Sequence, residues 1–444
     1  MKEKIFNEKN LTMFIVLSIL IFPLLELIGM FFERQFFMQE QALSLIGVIG
    51  IIAITIHIVY MIKSKNIVLS DIFLITSILF CIISIVFSKN IKISLKGHPN
   101  YSETPLQVMG YFTLFLLATN ISKKQNKKII LNTFLILAII EATVAFMQNF
   151  SIWPVTAPFD GNWHTKDHLA FGFTQHCNYF AAVAIIFTGL FSGKFIYAKN
   201  KKENILTYIG SILCCFSILF TYTRIGWAGI LTILFVVFVL DISEYLSTKD
   251  KLALKNNIRK TIILFIGFLV CFLLTGIPTK HIEKDITESV KELNSSFDEF
   301  GTKRGIIWRV GIDALMQYPL TGVGFDIYDF AFLVSSRKTT MFQSKGHNEY
   351  LHTAVTQGVF SGINYLAFCI YCALFAFIKI LKGDKEYGKS DLTKILLIAI
   401  TAYFAQAMFN SSVTNVAIYK WILMGLILTK VEQKNLTPIL FRKI

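Results

Sequence analysis

Apolar residues in this chain come in long blocks rather than in alternation. About twelve such runs recur, at 12–32, 42–62, 69–88, 106–121, 129–150, 178–197, 205–222, 225–241, 261–277, 354–378, 394–410 and 414–430. About 20 apolar residues in a helix cross a bilayer, and most runs approach that length. Backbone groups in lipid must bond within their own segment, so each run is expected to be a helix. The two-residue alternation of a membrane barrel is missing. The pattern therefore predicts an all-α integral membrane protein with about 12 transmembrane helices and a large helical extracytoplasmic loop between helices 9 and 10. The chain divides on this reading into helices 1–9 (1–277), the loop (278–353) and helices 10–12 (354–444). The run 106–121 is short, and 205–222 is parted from 225–241 only by "TYTRIGW".

Composition agrees: 54% of residues are hydrophobic, 16% are charged and 42 are Phe, too apolar for a soluble chain of 444 residues. The net charge of +15 suggests nucleic acid until its placement is considered. With a cytoplasmic N-terminus, twelve spans put 1–11, 63–68, 120–128, 198–204, 242–260, 379–394 and 430–444 inside, and about 26 of the 43 Lys and Arg lie there. This is the positive-inside bias, with contact to membrane lipid rather than nucleic acid as its consequence. Both termini are expected in the cytoplasm. The first run contains Pro23 and Glu26 and has no small-residue cleavage pattern, so it is expected to stay as the first span. All cysteines but Cys177 fall within predicted spans, and "CIYC" (369–372) reads as packing.

The loop 278–353 is patterned, not featureless. Ile282, Ile286, Val290, Leu293, Phe297 and Phe300 recur at spacings of four and three, which predicts one amphipathic helix over 281–300 lying on the membrane or the bundle. A second helix is expected over 302–318, ended by Pro319, with a turn at 321–324.

Polar groups gather at the outer boundary. Arg224 lies between two spans, Arg304 stands one turn before Trp308, and His347 with Asn348 is expected to open the tenth span. Charge near membrane depth is expensive and tends to be functional. A histidine at a helix start is disfavoured as imidazolium and is left able to accept a proton. Two arginines hold a diphosphate by paired charge-assisted bonds. A neutral base beside such a clamp suits transfer from a diphosphate-activated donor to a hydroxyl. His352 should project from a different face and not pair with His347. His164 and His168 lie among turn residues and do not read as a metal pair, and no phosphate loop for nucleotides is present. Glu26, Glu141 and Gln148 read as hydrogen-bonding groups between helices, with a proton relay as the other reading.

At these residues the chain resembles the O-antigen ligase and polymerase family of bacterial membrane glycosyltransferases. The segments that carry the resemblance are "GFTQHCNYFAAVAI" (172–185), "TYTRIGWAGI" (221–230), "RGIIWRVGIDALMQYPLTGVGFDIY" (304–328) and "GHNEYLHTAVTQGVFSGINYL" (346–366). Thr223 stands where the family more often has Ser. The resemblance implies a glycan carried on a polyprenyl (undecaprenyl) diphosphate and moved to a hydroxyl on another glycan or on lipid A core. It implies inversion, no metal, no cofactor and work beside other polysaccharide-assembly proteins at the bacterial inner membrane. It assigns the diphosphate to Arg224 and Arg304 and activation of the acceptor to His347. Asn348, Arg309, Trp308 and Asn178 are implied substrate contacts, Arg309 being one position off the motif arginine. Polymerase and ligase share these segments. A protein O-oligosaccharyltransferase is a further reading within the family. A lipid-linked glycan transporter is the rival from another class, and it predicts internal repeats and spans broken near the bilayer centre.

Overall fold

A run of apolar residues has no partner for its own N–H and C=O groups except itself, and the chain answers with helix almost throughout. The computed structural model describes residues 7–31, 37–97, 103–153, 169–174, 176–279, 287–288, 290–292, 294–337, 339, 341–382 and 391–434. In order the helices are α1 (Glu8–Phe31), α2 (Phe37–Ser64), α3 (Leu69–Val86), α4 (Ile91–Lys96), α5 (Pro105–Thr119), α6 (Lys124–Asn149), α7 (Cys177–Tyr197), α8 (Lys201–Leu219), α9 (Arg224–Thr248) and α10 (Lys251–Thr279). Then come α11 (Phe300–Gln317), α12 (Phe330–Val334), α13 (Glu349–Gln357), α14 (Val359–Lys382), α15 (Asp391–Gln406) and α16 (Thr414–Ile427). Among the described residues there is no strand, and nine helices are long and apolar enough to cross a membrane: α1 to α3, α6 to α10, and α14. α5 and α16 are apolar but shorter. The protein is an all-α membrane protein.

The bundle is organised around α7, which is almost wholly buried, while α2 is mostly exposed as a lipid-facing helix would be. Helix α7 packs against α8, α15, α9 and α6. Small residues make the closest of these approaches possible: a Cβ on Gly189 would stand 2.6 Å from Ala399 Cα on α15.

The chain re-enters the bundle just before α7. Residues 169–174 carry backbone that no helix satisfies, and side chains from neighbouring helices satisfy it. Gln148 Oε1 accepts from Phe171 N (2.9 Å) and Gly172 N (2.8 Å), its Nε2 donates to Gly172 O (3.0 Å), and Glu141 Oε2 accepts from Phe173 N (3.0 Å). The expected helix-to-helix role of Glu141 and Gln148 is thus corrected: they hold an irregular segment at depth, which is tolerated only where protein buries it. Gly172 has φ +51°, and a Cβ there would meet the Phe180 ring at 2.3 Å, so no other residue fits.

The loop after α10 folds into a cap with its own apolar core. Ile307, Val310, Ala314, Val323, Ile327, Tyr328 and Ala331 are buried together with Val355 of α13. Three expectations change here. First, one helix over 281–300 is not what forms. Residues 287–288 and 290–292 are helical, but a turn intervenes at 294–295 and a 3₁₀ turn at Phe297–Glu299. Asn294, Ser295 and Ser296 compete for backbone bonds and stop the helix. Ile282, Ile286, Leu293, His164 and His168 lie outside the described residues. Second, α11 is irregular at its start, because Gly301, Thr302 and Lys303 are left-handed. Third, the run 354–378 is not one helix. It breaks at Gly358, φ +93°, where a Cβ would stand 2.3 Å from Leu320 O and where Val359 N donates to Pro319 O (2.8 Å). Helix α13 belongs with the cap, since Val323 N and Gly324 N donate to Val355 O and Thr356 O.

Candidate active site

Four chain segments far apart in sequence come to one cavity of about 380 Å³ at the capped end of the bundle. Arg224, Arg304, His347 and Asn178 all line it, together with Tyr222, Glu288 and Gln343.

Arg224 is the first residue of α9. Tyr222 before it is left-handed, φ +48°, and Thr221 Oγ1 lies 2.9 Å from Thr223 Oγ1, so the turn between α8 and α9 is fixed by its own threonines. The guanidinium is held by two acids: Nη1 donates to both oxygens of Glu292 at 3.0 Å, and Nη2 donates to Glu288 Oε2 at 2.9 Å. Arg304 follows the left-handed turn of α11. Its Nη1 donates to Gly301 O (3.3 Å), and its buried Nε has no hydrogen-bond partner among the described residues. Burial, then the like charge of Arg224, pushes its pKa down to about 10, so it stays cationic at neutral pH.

His347 sits two residues before α13, not in the first turn of a long span as the sequence suggested. Its φ is +45°, unusual for a side chain with a Cβ. The surroundings over-determine that conformation. Its N–H donates to Ser411 Oγ (3.1 Å). The preceding peptide is clamped on both sides, by Trp308 Nε1 donating to Gly346 O (3.1 Å) and by Gly346 N donating to His352 Nδ1 (3.3 Å). The following residue, Asn348, caps α13 by accepting from Leu351 N (3.0 Å), and Glu349 N donates to Ala407 O (2.9 Å). His347 is half-buried, and its buried Nδ1 has no partner among the described residues. Burial, then the Arg304 charge, lowers its pKa to about 3, with smaller effects from His176 and His352. The neutral state expected from a helix end is therefore reached mainly by desolvation and by a neighbouring cation.

Other expected contacts fall differently. Asn178 is on the cavity wall, its N–H donating to His176 Nδ1 (3.1 Å) and its carbonyl accepting from Asn410 Nδ2 (2.8 Å). Trp308 does not line the cavity; it supports the peptide before His347. Arg309 does not line it either, for its guanidinium is taken by Asp298 (3.1 Å) and lies 5.0 Å from the Phe297 ring centre. Asn348 contributes its side-chain oxygen to the cap. His352, as expected, turns away from His347 and lies 2.6 Å from Asp326. Glu288, Glu292, Asn410 and Ser411 were not singled out from sequence. The i,i+4 spacing of the two acids was a usable signal, since it places both on one helix face.

Such an arrangement can hold an anion between two guanidinium groups and offer a neutral ring nitrogen to a hydroxyl. No curated protein matches the chain. Residues 209–366, about a third of the chain and including Arg224, Arg304 and His347, match the family model described as O-Antigen ligase. That match supports assigning this multi-pass membrane protein to the O-antigen ligase/polymerase family, whose members are glycosyltransferase-type enzymes.

Proposed function

We propose that the protein transfers a glycan from a polyprenyl (undecaprenyl) diphosphate donor to an acceptor hydroxyl at the outer face of the cytoplasmic membrane, as a polysaccharide polymerase or ligase. The observation that carries this reading is the meeting of Arg224, Arg304 and His347 on one cavity wall, with Arg304 Nε and His347 Nδ1 buried and unpaired among the described residues. Unpaired buried polar atoms are costly, and a ligand that pairs them repays the cost.

The diphosphate lies against the two arginines and the acceptor hydroxyl against His347. The hydroxyl oxygen attacks the anomeric carbon while its proton passes to the imidazole. The bond from that carbon to the phosphate oxygen breaks, and its electron pair leaves with the diphosphate, whose growing charge the guanidinium groups stabilise. Attack opposite the leaving group inverts the anomeric centre, and the step uses no metal. An imidazole with a pKa near 3 is a weak base in the empty site. A bound dianion beside it raises its proton affinity, so the base gains strength when the donor is in place. Asn178 is a wall residue for the glycan. The positive-inside bias supports an extracytoplasmic site, because the cavity lies at the end opposite the basic loops. The break at Gly358 lies beside Pro319 and Leu320 of the cap, not at the middle of a span as a transporter would have it.

The test is a purified, lipid-reconstituted protein given a polyprenyl diphosphate-linked repeat unit. Release of polyprenyl diphosphate with glycan ladders identifies a polymerase, and single additions to lipid A core identify a ligase. Movement of the lipid without any transfer would refute the enzyme reading.

A further inference from the structure

Arg224 carries two carboxylates, and they are not equivalent. Glu292 engages Nη1 with both oxygens and also accepts from Gly301 N (3.0 Å) and Thr302 N (3.3 Å). Its side chain is 16% exposed. Glu288 gives one bond, to Nη2 at 2.9 Å, lines the cavity and is 44% exposed.

The bonds of Glu292 reach both arginines. Gly301, Thr302 and Lys303 have φ of +63°, +60° and +69°, a left-handed stretch that costs energy for the two residues with a Cβ. Two N–H groups of that stretch point at one carboxylate, which offsets the cost. The carbonyl of Gly301 then accepts from Arg304 Nη1. One acid thus holds the first guanidinium directly and sets the backbone that holds the second.

Charge decides what Glu288 does. Arg224 and Arg304 bring two positive charges, and Glu288 and Glu292 cancel them. A sugar-linked polyprenyl diphosphate is a dianion, and it meets no net attraction from these four groups while both acids stay. Glu292 cannot withdraw without losing four bonds, two of them to backbone. Glu288 loses one and moves into water.

Building on the reading of the site given above, we propose that Glu292 is the positioning residue for both arginines, whereas Glu288 is a placeholder that the donor diphosphate displaces from Arg224. The two acids on one guanidinium therefore act in opposite directions on anion binding.

Inorganic pyrophosphate is the probe, titrated calorimetrically into the full chain in lipid nanodiscs, with donor kinetics alongside. Glu288→Gln should tighten pyrophosphate about tenfold, a 1.4 kcal/mol change, and lower the donor KM. Glu292→Gln should weaken pyrophosphate about tenfold or more. It should also lower kcat while raising KM, as misplacement of both arginines requires and loss of one binding contact does not. In an Arg224→Gln background, the gain from Glu288→Gln should shrink well below tenfold, because the guanidinium that Glu288 occupies is gone. If both acid variants shift binding in the same direction, or neither does, the proposal falls while the site reading stands. If Arg224→Gln itself binds pyrophosphate as the parent does, the site reading falls and this proposal with it.

Discussion

Two buried polar clusters flank the segment 345–352, and they differ in one respect. On one side is the cavity with Arg304 and His347, each with a buried nitrogen that lacks a partner among the described residues. On the other side every charge has an opposite. Lys345 Nζ donates to both oxygens of Asp326 (2.8 and 3.0 Å) and lies 3.8 Å from Glu103. Burial works against charge on Lys345, but Asp326 and Glu103 outweigh it and hold the ammonium above its ordinary pKa. Glu349 accepts from Lys420, from Tyr365 (2.8 Å) and from Tyr403 (2.9 Å). Both clusters are rich in ionisable groups packed between the cap and the bundle, so position and residue type do not tell them apart. Pairing does. A closed network spends its hydrogen bonds on rigidity, and an open one keeps them for a ligand. The two histidines, five residues apart, illustrate it. His352 stacks on Tyr328 with ring centres 5.4 Å apart and bridges Gly346 to Asp326, while His347 faces the cavity.

The contrast breaks most severely at His347. His347→Ala should lower kcat about 10²–10⁴-fold, the usual range for a lost general base, with helix content and thermal transition unchanged in circular dichroism. An equal loss in His352→Ala kinetics without any loss of stability would erase the distinction between the clusters. The opposite signature belongs to Lys420, whose removal leaves Glu349 charged and buried. Lys420→Met should cost about 3–5 kcal/mol in a denaturation assay, with the folded remainder still turning over. Next comes Arg304→Ala, expected to reduce kcat about 10²–10³-fold in steady-state rates, because a preorganised donor to the leaving group is lost. Smallest is the response to pH. The imidazole accepts a proton only when neutral, and in the free enzyme it is neutral above a pKa of about 3. As a result kcat/KM, which reports the free enzyme, should show no His347 limb between about pH 5 and 8. The acid limb of kcat, which reports the loaded enzyme, should lie higher, since the bound dianion favours the imidazolium.

Much of this is legible in the sequence. Each of the expected apolar runs but 354–378, which is split between α13 and α14, falls mainly on one helix, because run length and composition decide the matter in lipid. Arg224, Arg304 and His347 were visible as polar residues at one boundary, and only the ordered series of motifs suggested that they meet. What stayed hidden was pairing. Lys420 sits within the apolar run 414–430, and nothing local says that Glu349, seventy-one residues earlier, neutralises it. The acids on Arg224 and the serine under His347 come from segments whose approach depends on the folded cap. The break at Gly358 was missed for a related reason: the apolar period continues across it, whereas the left-handed Gly358 (φ +93°) and the bond from Val359 N to Pro319 O belong to the folded cap.

That interruption has a mechanical result. Helix α13, which follows His347, is bonded to the cap at Val355 and Thr356, and the lipid-crossing part of the chain begins afresh at Val359. A bilayer that thins or thickens changes the tilt of its spanning helices. Here α13 and α14 are separate rods joined at Gly358 and tied by Tyr365 Oη donating to Glu349 Oε1 (2.8 Å), so a change in the tilt of α14 reaches His347 through that closed network and not through the lever arm of an unbroken rod.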